Sequence, residues 1–303
     1  MPTLEGLLEK TSRTFALSIP VLPEPTRREV MIAYLLFRIA DTFEDASHWP
    51  PEKRMTSLRD FNELLRRPSK EKARSLSRGW VAASISPHAG YTELMTEVPF
   101  VLDAFWKLEP EAIERIKTHV IRSSDGMGSI VAKTKSGSLA LGSVHDLQAY
   151  CYIVAGIVGE MLTELFLLGR PELEENAPYL RKRAATFGEA LQLVNILKDS
   201  AVDAAEGRSY LPAGVPKSEI FALARKDLTI AGEYIRALQL AGAPRGVVEF
   251  CALPVLLAWS ALERVEKHGP GSKISRPEVF FITQKLKRTL DRGEPAVPIA
   301  REG

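Results

Sequence analysis

The sequence predicts an all-α protein folded as a single domain over residues 1–303. Apolar residues recur at helical spacing in most segments, and alternating Val, Ile and Thr runs joined by Asn-Gly or Asp-Gly turns do not occur. No linker sharply divides the chain, and no repeat of solenoid length is visible. A chain of this length buries roughly three quarters of its unfolded surface, so it can hold a large core.

Residues that disfavour helices divide the chain into twelve predicted helices. Pro20, Pro23 and Pro25 predict an extended link, because proline disfavours a helical residue ahead of it. The Gly- and Ser-rich residues 122–145 predict a mobile loop, and EGRSYLPAG after residue 205 predicts another break. The predicted helices lie at residues 3–18, 25–46, 51–65, 70–85, 89–104, 109–122, 146–169, 177–204, 217–226, 229–241, 245–268 and 276–290.

Composition excludes some classes of partner and compartment. The net charge is +2 with 26% charged residues, so no strongly basic face for nucleic acid is expected. Cys151 and Cys251 lie in apolar context, which predicts reduced, buried thiols and a cytoplasmic location. The N-terminal residues lack the pattern of a signal peptide.

Two apolar segments approach the character of membrane spans. Residues 150–169 are interrupted by Glu160 and Glu164, and residues 250–262 are short and carry Pro254. Because a span needs about twenty mainly apolar residues, both segments are predicted to be core helices.

A cluster of carboxylates ends the second predicted helix. Asp41, Glu44 and Asp45 are spaced i, i+3 and i+4, so they share one helix face, and Arg38 and Tyr34 precede them on the same stripe. Like charges at this spacing repel unless a cation is present, and oxygen-only ligands favour Mg²⁺ or Mn²⁺. The alternative is a solvated acidic turn at a helix end. We call these three residues the first acidic face.

A second polar stripe follows later in the chain. Gly188, Gln192, Asn195, Asp199 and Asp203 are spaced 4, 3, 4 and 4 residues apart, so they lie along one helix face. We call the last four the second acidic face. Two such faces opposed across a cavity would hold metal ions against a polyanion, and diphosphate is the expected one. An ordinary amphipathic surface helix is the alternative.

Small and aromatic residues lie between the two acidic faces. Ala155, Gly156 and Gly159 would let a neighbouring helix or an elongated apolar ligand approach the backbone, and either explanation fits. Tyr150 and Tyr152 fit a cavity wall or a core equally well.

Seven strings occur in an order that resembles the squalene and phytoene synthases. They are SRTF, YLLFRIADTFED, DGMGSIV, YCYIVAGIVGE, LQLVNILKDSAVD, GRSYLP and FCALPVLLA, and the resemblance covers most of the chain, to about KISRPEV. The DTFED string looks most like the bacterial squalene-forming branch. The resemblance implies an isoprenoid synthase helical bundle around a central apolar cavity. It also implies head-to-head (1′–1) joining of two prenyl diphosphates.

The resemblance also assigns roles by matching position. It implies metal binding by Asp41, Glu44, Asp45, Asp199 and Asp203, and catalytic roles for Tyr150, Arg38, Asp41 and Asp199. The residues implied for substrate binding are Ser12, Arg13, Phe15, Tyr34, Gln192, Asn195, Lys198, Arg208, Tyr210 and Arg276.

The implied reaction joins two farnesyl diphosphates through presqualene diphosphate to squalene, with Mg²⁺ and with NADPH for the reductive step. Presqualene diphosphate, dehydrosqualene or phytoene as the product stay open, as does a non-catalytic binding or assembly protein. NADPH rests on the resemblance alone, since no G-x-G-x-x-G motif in strand–helix context is present. Lys133, Lys135 and Lys273 are hypothetical contacts to its phosphates, with solvated lysines as the alternative.

The sequence departs from the family pattern at two positions. Val202 replaces an acid of the second motif, and Lys198 replaces an arginine, which keeps the charge and loses the bidentate fork. A di-iron site is disfavoured, because the pair Asp45–His48 has no second copy. The membrane helix at the C-terminus of eukaryotic squalene synthases is lacking, so a bacterial-type form is expected, with peripheral membrane contact for product release as an option.

Overall fold

The computed structural model describes residues 2–134, 139–205 and 207–298, and helices make up nearly all of its regular structure. The described strands, β1 (Leu139–Ala140) and β2 (Arg208–Ser209), pair in parallel with Leu139 opposite Arg208. The all-α prediction is therefore confirmed.

Contacts along the chain form two compact units. The first comprises residues 1–20 and 24–138, and the second comprises residues 21–23 and 139–303. The single domain over residues 1–303 stays a prediction, and each unit is described by itself.

The first unit is built around one long central helix. Its helices are α1 (Leu4–Thr11), α2 (Phe15–Ser18), α3 (Thr26–Asp45), α4 (Pro51–Arg66), α5 (Lys70–Ala82), α6 (Ala89–Thr96), α7 (Val98–Phe105) and α8 (Pro110–Lys133). Helix α3 packs against α1, α4, α6, α7 and α8. Its fully buried side chains are Ile32, Leu35, Leu36, Ile39 and Phe43. Each contributes about 1.5–3 kcal/mol by leaving water, so this packing fixes the direction of α3 and of the acids at its end.

The second unit is built around α11. Its elements are α9 (Val144–Cys151), a π-helical turn (Tyr152–Gly156), α10 (Ile157–Leu167), a 3₁₀ turn (Pro171–Asn176), α11 (Ala177–Ala205), α12 (Lys217–Leu240), α13 (Arg245–His268) and α14 (Arg276–Asp291). Helix α11 contacts α9, the π-helical turn, α10, α12 and α13. Its position therefore depends on most of the unit.

Two glycines let α11 cross its neighbour with backbone against backbone. A Cβ atom added to Gly159 would lie 2.0 Å from the carbonyl oxygen of Ala184, and one added to Gly188 would lie 2.0 Å from that of Ala155. A Cβ on Gly156 would meet Tyr152 and Glu189 side chains at 2.8 and 2.9 Å. Close helix packing thus accounts for Gly159, which sequence reasoning left open between packing and ligand access, and also for Gly188.

The Gly- and Ser-rich segment is largely helical, so the loop predicted over residues 122–145 is wrong for its first half. Helix α8 continues to Lys133, and Ser123, Ser124, Met127 and Val131 lie buried along one stripe. Small residues here serve close packing rather than flexibility. Lys135 lies outside the described residues.

Other predicted boundaries need correction. The helix predicted at 3–18 is divided into α1 and α2, because the Phe15 N–H donates to Ser12 Oγ at 2.9 Å. The helix predicted at 89–104 is divided into α6 and α7 at Glu97, ahead of Pro99. Residues 217–240 form one helix instead of two. The link through Pro20 contains a 3₁₀ turn (Ile19–Val21) rather than being extended throughout.

The two apolar segments form core helices. By length and composition alone, Val144–Leu167 and Arg245–His268 could cross a membrane. However, 61% and 72% of the most apolar 18-residue stretch in each helix is buried within the fold. Cys151 and Cys251 are free and fully buried, as predicted, and burial raises the pKa of both thiols.

Candidate active site

The first acidic face lies on the last two turns of α3. The side chain of Asp41 is partly exposed, that of Asp45 is exposed, and that of Glu44 is buried at 7% exposure. The last turn of α3 holds no basic residue. Because the C-terminal end of a helix carries partial negative charge, these carboxylates are poorly placed unless a cation joins them.

Arg38 supplies one positive charge to this face. Its Nη1 lies 3.3 Å from Oδ2 of Asp41, one turn further along α3. Its guanidinium also lies over the rings of Tyr34 and Tyr91, at 5.8 and 5.4 Å from their centroids. The two rings orient the guanidinium, while about a quarter of the side chain stays exposed for an anion.

The carboxyl group of Asp41 has a pKa above its ordinary value. Burial raises its pKa to about 6; the Arg38 charge acts against this shift, and the Asp45 charge adds to it. An additional cation would lower the pKa of Asp41 again, since an opposite charge favours the ionised carboxylate.

The donor set fits a hard cation that is shared with substrate. Among the residues that the structure describes, no three His, Cys, Asp or Glu side chains converge to hold a metal by themselves. Mg²⁺ is commonly held by one or two carboxylates plus phosphate oxygens, so Asp41 and Asp45 suit that mode of binding.

The N-terminal SRTF element packs beside Tyr34. The ring of Phe15 lies 5.5 Å from that of Tyr34, and the Tyr34 hydroxyl donates to the Thr11 carbonyl at 2.8 Å. Arg13 is exposed, and Ser12 Oγ accepts a hydrogen bond from the Phe15 N–H at the start of α2. The structure thus brings Ser12, Phe15 and Tyr34 together one turn before Arg38.

The second acidic face follows one side of α11. Gln192, Asn195, Asp199 and Asp203 are all partly or fully exposed, while the flanking Leu193, Val194, Ile196 and Leu197 are buried. The prediction that these four polar residues share one side of a helix is therefore confirmed.

Lys198 lies beside the second acidic face. Its Nζ donates to Oδ1 of Asn195 at 3.0 Å and lies 3.3 Å from Oδ2 of Asp199. One turn later, Nη2 of Arg208 lies 3.3 Å from Oδ1 of Asp203. Each acid of this face therefore has a cation beside it, and Val202 next to Asp203 is 54% exposed.

Tyr150 is packed against the segment that follows this face. Its ring lies 4.7 Å from that of Tyr210, and both side chains are buried. A small cavity of about 220 Å³ adjoins Tyr210, and it is lined by Ser200, Ala201, Ala204, Ser209, Tyr210, Leu211, Lys217 and Pro270.

The segment before α14 is tied to α11. The N–H of Gly271 donates to the carbonyl oxygen of Lys198 at 2.7 Å. Lys273 and Arg276 follow and are both exposed, whereas Lys133 lies exposed in the last turn of α8, in the other unit. The structure brings neither exposed lysine into an ion pair within its described part.

The squalene/phytoene synthase family model matches residues 8–279. This chain belongs to the squalene/phytoene synthase family. The resemblance seen in the sequence is confirmed, and the match contains both acidic faces, Tyr150 and Arg276.

Individual relatives agree with membership of the squalene/phytoene synthase family. The squalene synthase of Eremothecium gossypii is 28% identical over 280 residues, covering 86% of this chain and 60% of that protein. Squalene synthase ERG9 of Candida albicans is 31% identical over 209 residues, covering 68% of this chain and 44% of that protein. The chain thus spans less than two thirds of the length of these relatives.

Solved structures of the squalene/phytoene synthase family share the fold. The complex of TcSQS with the ligand E5700 superimposes with a TM-score of 0.71 at 23% identity, covering 96% of this chain and 87% of that chain. At that level of identity the likeness shows the fold alone, and it confirms the predicted helical fold class.

Sequence reasoning missed several residues around these family motifs. Tyr91 contacts Arg38 from α6, and Lys217 lines the small cavity from α12. Glu189 and Asp227, on α11 and α12, have pKa values raised by burial to about 7 and about 6, and the charge of Asp227 adds to the shift of Glu189. No spacing along the chain indicates such contacts, because each joins separate helices.

Proposed function

We propose that this chain is a Mg²⁺-dependent prenyltransferase that joins two farnesyl diphosphates head-to-head through presqualene diphosphate to squalene, with NADPH in the reductive step. One observation carries the proposal. In a chain of this family, two separate acidic faces each combine oxygen-only ligands with a neighbouring cation.

The first acidic face is proposed to bind the diphosphate that ionises. Asp41, Glu44 and Asp45 would hold Mg²⁺ together with phosphate oxygens, and Mg²⁺ supplies charge neutralisation of the leaving group. Arg38, oriented by two rings and still partly exposed, stabilises the negative charge that develops on the departing diphosphate. Ser12, Arg13, Phe15 and Tyr34 are proposed to position the same substrate.

The second acidic face is proposed to bind diphosphate and metal in the same way. Asp199 and Asp203 would be the metal ligands, with Gln192 and Asn195 beside them. Lys198 and Arg208 supply positive charge within 3.3 Å of those carboxylates. As a compact ammonium, Lys198 contacts phosphate as a point charge rather than with a fork.

The buried Tyr150–Tyr210 pair is proposed to border the reacting carbons. Leaving of the diphosphate gives an allylic cation, and the double bond of the second farnesyl group attacks it. Either the Tyr150 hydroxyl or the released diphosphate then takes the proton as the cyclopropane closes. Packed aromatic rings keep water from this cation, which water would quench.

The nicotinamide cofactor is proposed from family membership alone. Lys273 comes two residues after Gly271, whose N–H donates to the Lys198 carbonyl oxygen on α11, so it is one candidate for contacts to the NADPH phosphates. Lys133 is the other described candidate for the NADPH phosphates.

The test is a direct product assay. Purified protein is incubated with Mg²⁺ and farnesyl or geranylgeranyl diphosphate, with and without NADPH, and the products are identified by mass spectrometry. We expect squalene from farnesyl diphosphate with NADPH, and presqualene diphosphate without it. Phytoene or dehydrosqualene would correct the product, and the absence of product from both substrates would favour the binding or assembly protein.

A further inference from the structure

Helix α14 exposes two adjacent aromatic side chains. Phe280 and Phe281 are 66% and 65% exposed, and Leu286 is the fully buried residue of this helix. Single exposed apolar residues are ordinary, but two neighbouring phenylalanines form a patch that usually marks an interaction site. Phe281 also lines a groove of about 1110 Å³ between α12, α13 and α14, together with Trp259 and Ile282.

The same part of the chain carries concentrated positive charge. Residues 273–292 hold six basic and two acidic residues, a net charge of +4, whereas the whole chain carries +2. Both acids form ion pairs with arginines of α13: Glu278 with Arg264, and Asp291 with Arg245. The outward charge of this segment is therefore positive.

Two of the cations share a stripe with the aromatic pair. Lys285 and Arg288 follow Phe281 at i+4 and i+7, so they lie on the same side of α14. Both are exposed, and neither takes part in an ion pair within the described residues. We call Phe280, Phe281, Lys285 and Arg288 the α14 surface.

We propose that the α14 surface binds peripherally to a lipid bilayer that contains anionic headgroups. The phenylalanine rings enter the boundary between headgroups and acyl chains, and Lys285 and Arg288 contact lipid phosphates. Because the remainder of the chain carries a net negative charge, an anionic membrane orients the protein with α14 towards it.

Charge favours a membrane over a second copy of the chain. Two α14 surfaces brought face to face would place like charges against each other, which opposes association. The inference is also independent of the chemistry proposed above, because none of the four residues of the α14 surface has a role in the proposed reaction.

The experiment is flotation of the full chain with vesicles of phosphatidylcholine, alone or mixed with phosphatidylglycerol. We expect binding only to the mixed vesicles, weakened by added salt. The Lys285→Gln/Arg288→Gln variant should lose about five-fold in affinity per charge removed. The Phe280→Ser/Phe281→Ser variant should lose roughly ten-fold or more, because its buried apolar area is gone.

A matched control replaces an exposed apolar residue elsewhere. Leu240, at the end of α12, is 76% exposed, so Leu240→Ser should bind vesicles as the unmodified chain does. Equal binding to both vesicle types, or unchanged binding by either double variant, would overturn the proposal. So would a dimer in analytical ultracentrifugation that the phenylalanine variant abolishes. Turnover of substrate should be unchanged in all these variants, so failure here leaves the proposed reaction intact.

Discussion

Replacing Asp41 by asparagine should stabilise the protein while it abolishes turnover. The carboxyl of Asp41 has a pKa of about 6, above its ordinary 3.8, because burial and the Asp45 charge oppose ionisation more than Arg38 favours it. Asparagine resembles the neutral form, so it avoids that cost. It also removes a proposed metal ligand, so the product assay should show no turnover.

The magnitude follows from the difference between the two pKa values. Each pKa unit corresponds to about 1.4 kcal/mol, so at pH 7 the ionised Asp41 lowers the free energy of unfolding by about 3 kcal/mol relative to a neutral group. We expect Asp41→Asn to recover about 1–3 kcal/mol of this, since asparagine is an imperfect mimic of the protonated acid.

The pH dependence of this gain has a definite sign. A carboxyl whose pKa is raised by folding destabilises the fold once it ionises, so the cost is absent below about pH 4 and complete above about pH 6. The difference in unfolding free energy between the variant and the unmodified protein should therefore be near zero at pH 4 and grow up to pH 6. Urea unfolding at a series of pH values measures it.

Asp103, in the same unit, provides a control because its pKa is shifted in the opposite direction. Hydrogen bonds from Lys107 and Lys70 lower the pKa of Asp103 to about 2, so Asp103→Asn should not stabilise the protein at any pH. An Asp41→Asn protein no more stable than the unmodified one at pH 7, or a gain of equal size at pH 4, would refute the reasoning.

Three further outcomes are expected. Gly188→Ala should lower the stability of the protein by about 1–3 kcal/mol in thermal unfolding, because its Cβ would lie 2.0 Å from the Ala155 carbonyl oxygen. In the control Gly79→Ala, the new Cβ has nothing within 4 Å, so this variant should gain about 0.5–1 kcal/mol of stability. Equal effects of the two substitutions would contradict the packing argument. Val202→Glu should lower the Mg²⁺ concentration for half-maximal turnover, since this exposed position accepts a charge beside the second acidic face; an unchanged requirement counts against a weakened site. Asp199→Asn should abolish turnover and leave the circular dichroism spectrum unchanged, whereas a normal rate would remove Asp199 from the site.

Helix prediction succeeded where one face is consistently apolar. Helix α11 was expected at 177–204 and spans Ala177–Ala205, because its buried and polar stripes keep helical spacing throughout. It failed in α8, where Ser123 and Ser124 look like loop residues but are buried in the helix. Small residues favour loops in isolation, yet they also allow close packing, and only the neighbouring helices decide between the two.

In the candidate site, too, contacts within one helix were predictable and contacts between helices were not. The spacing of Arg38 and Asp41 predicted a shared stripe, and the structure places them 3.3 Å apart. The ring of Tyr91 over Arg38 was not predictable, since it comes from another helix more than fifty residues later.

The sequence by itself determined which polar side chains share a helix face, because that depends only on the geometry of a single helix. The tertiary structure alone decided how deeply each one lies. Glu44 is buried, Asp41 partly exposed and Asp45 exposed, although all three stand within five residues. Burial, and with it the raised pKa of Asp41, depends on helices packed from distant parts of the chain, and no local pattern contains that information.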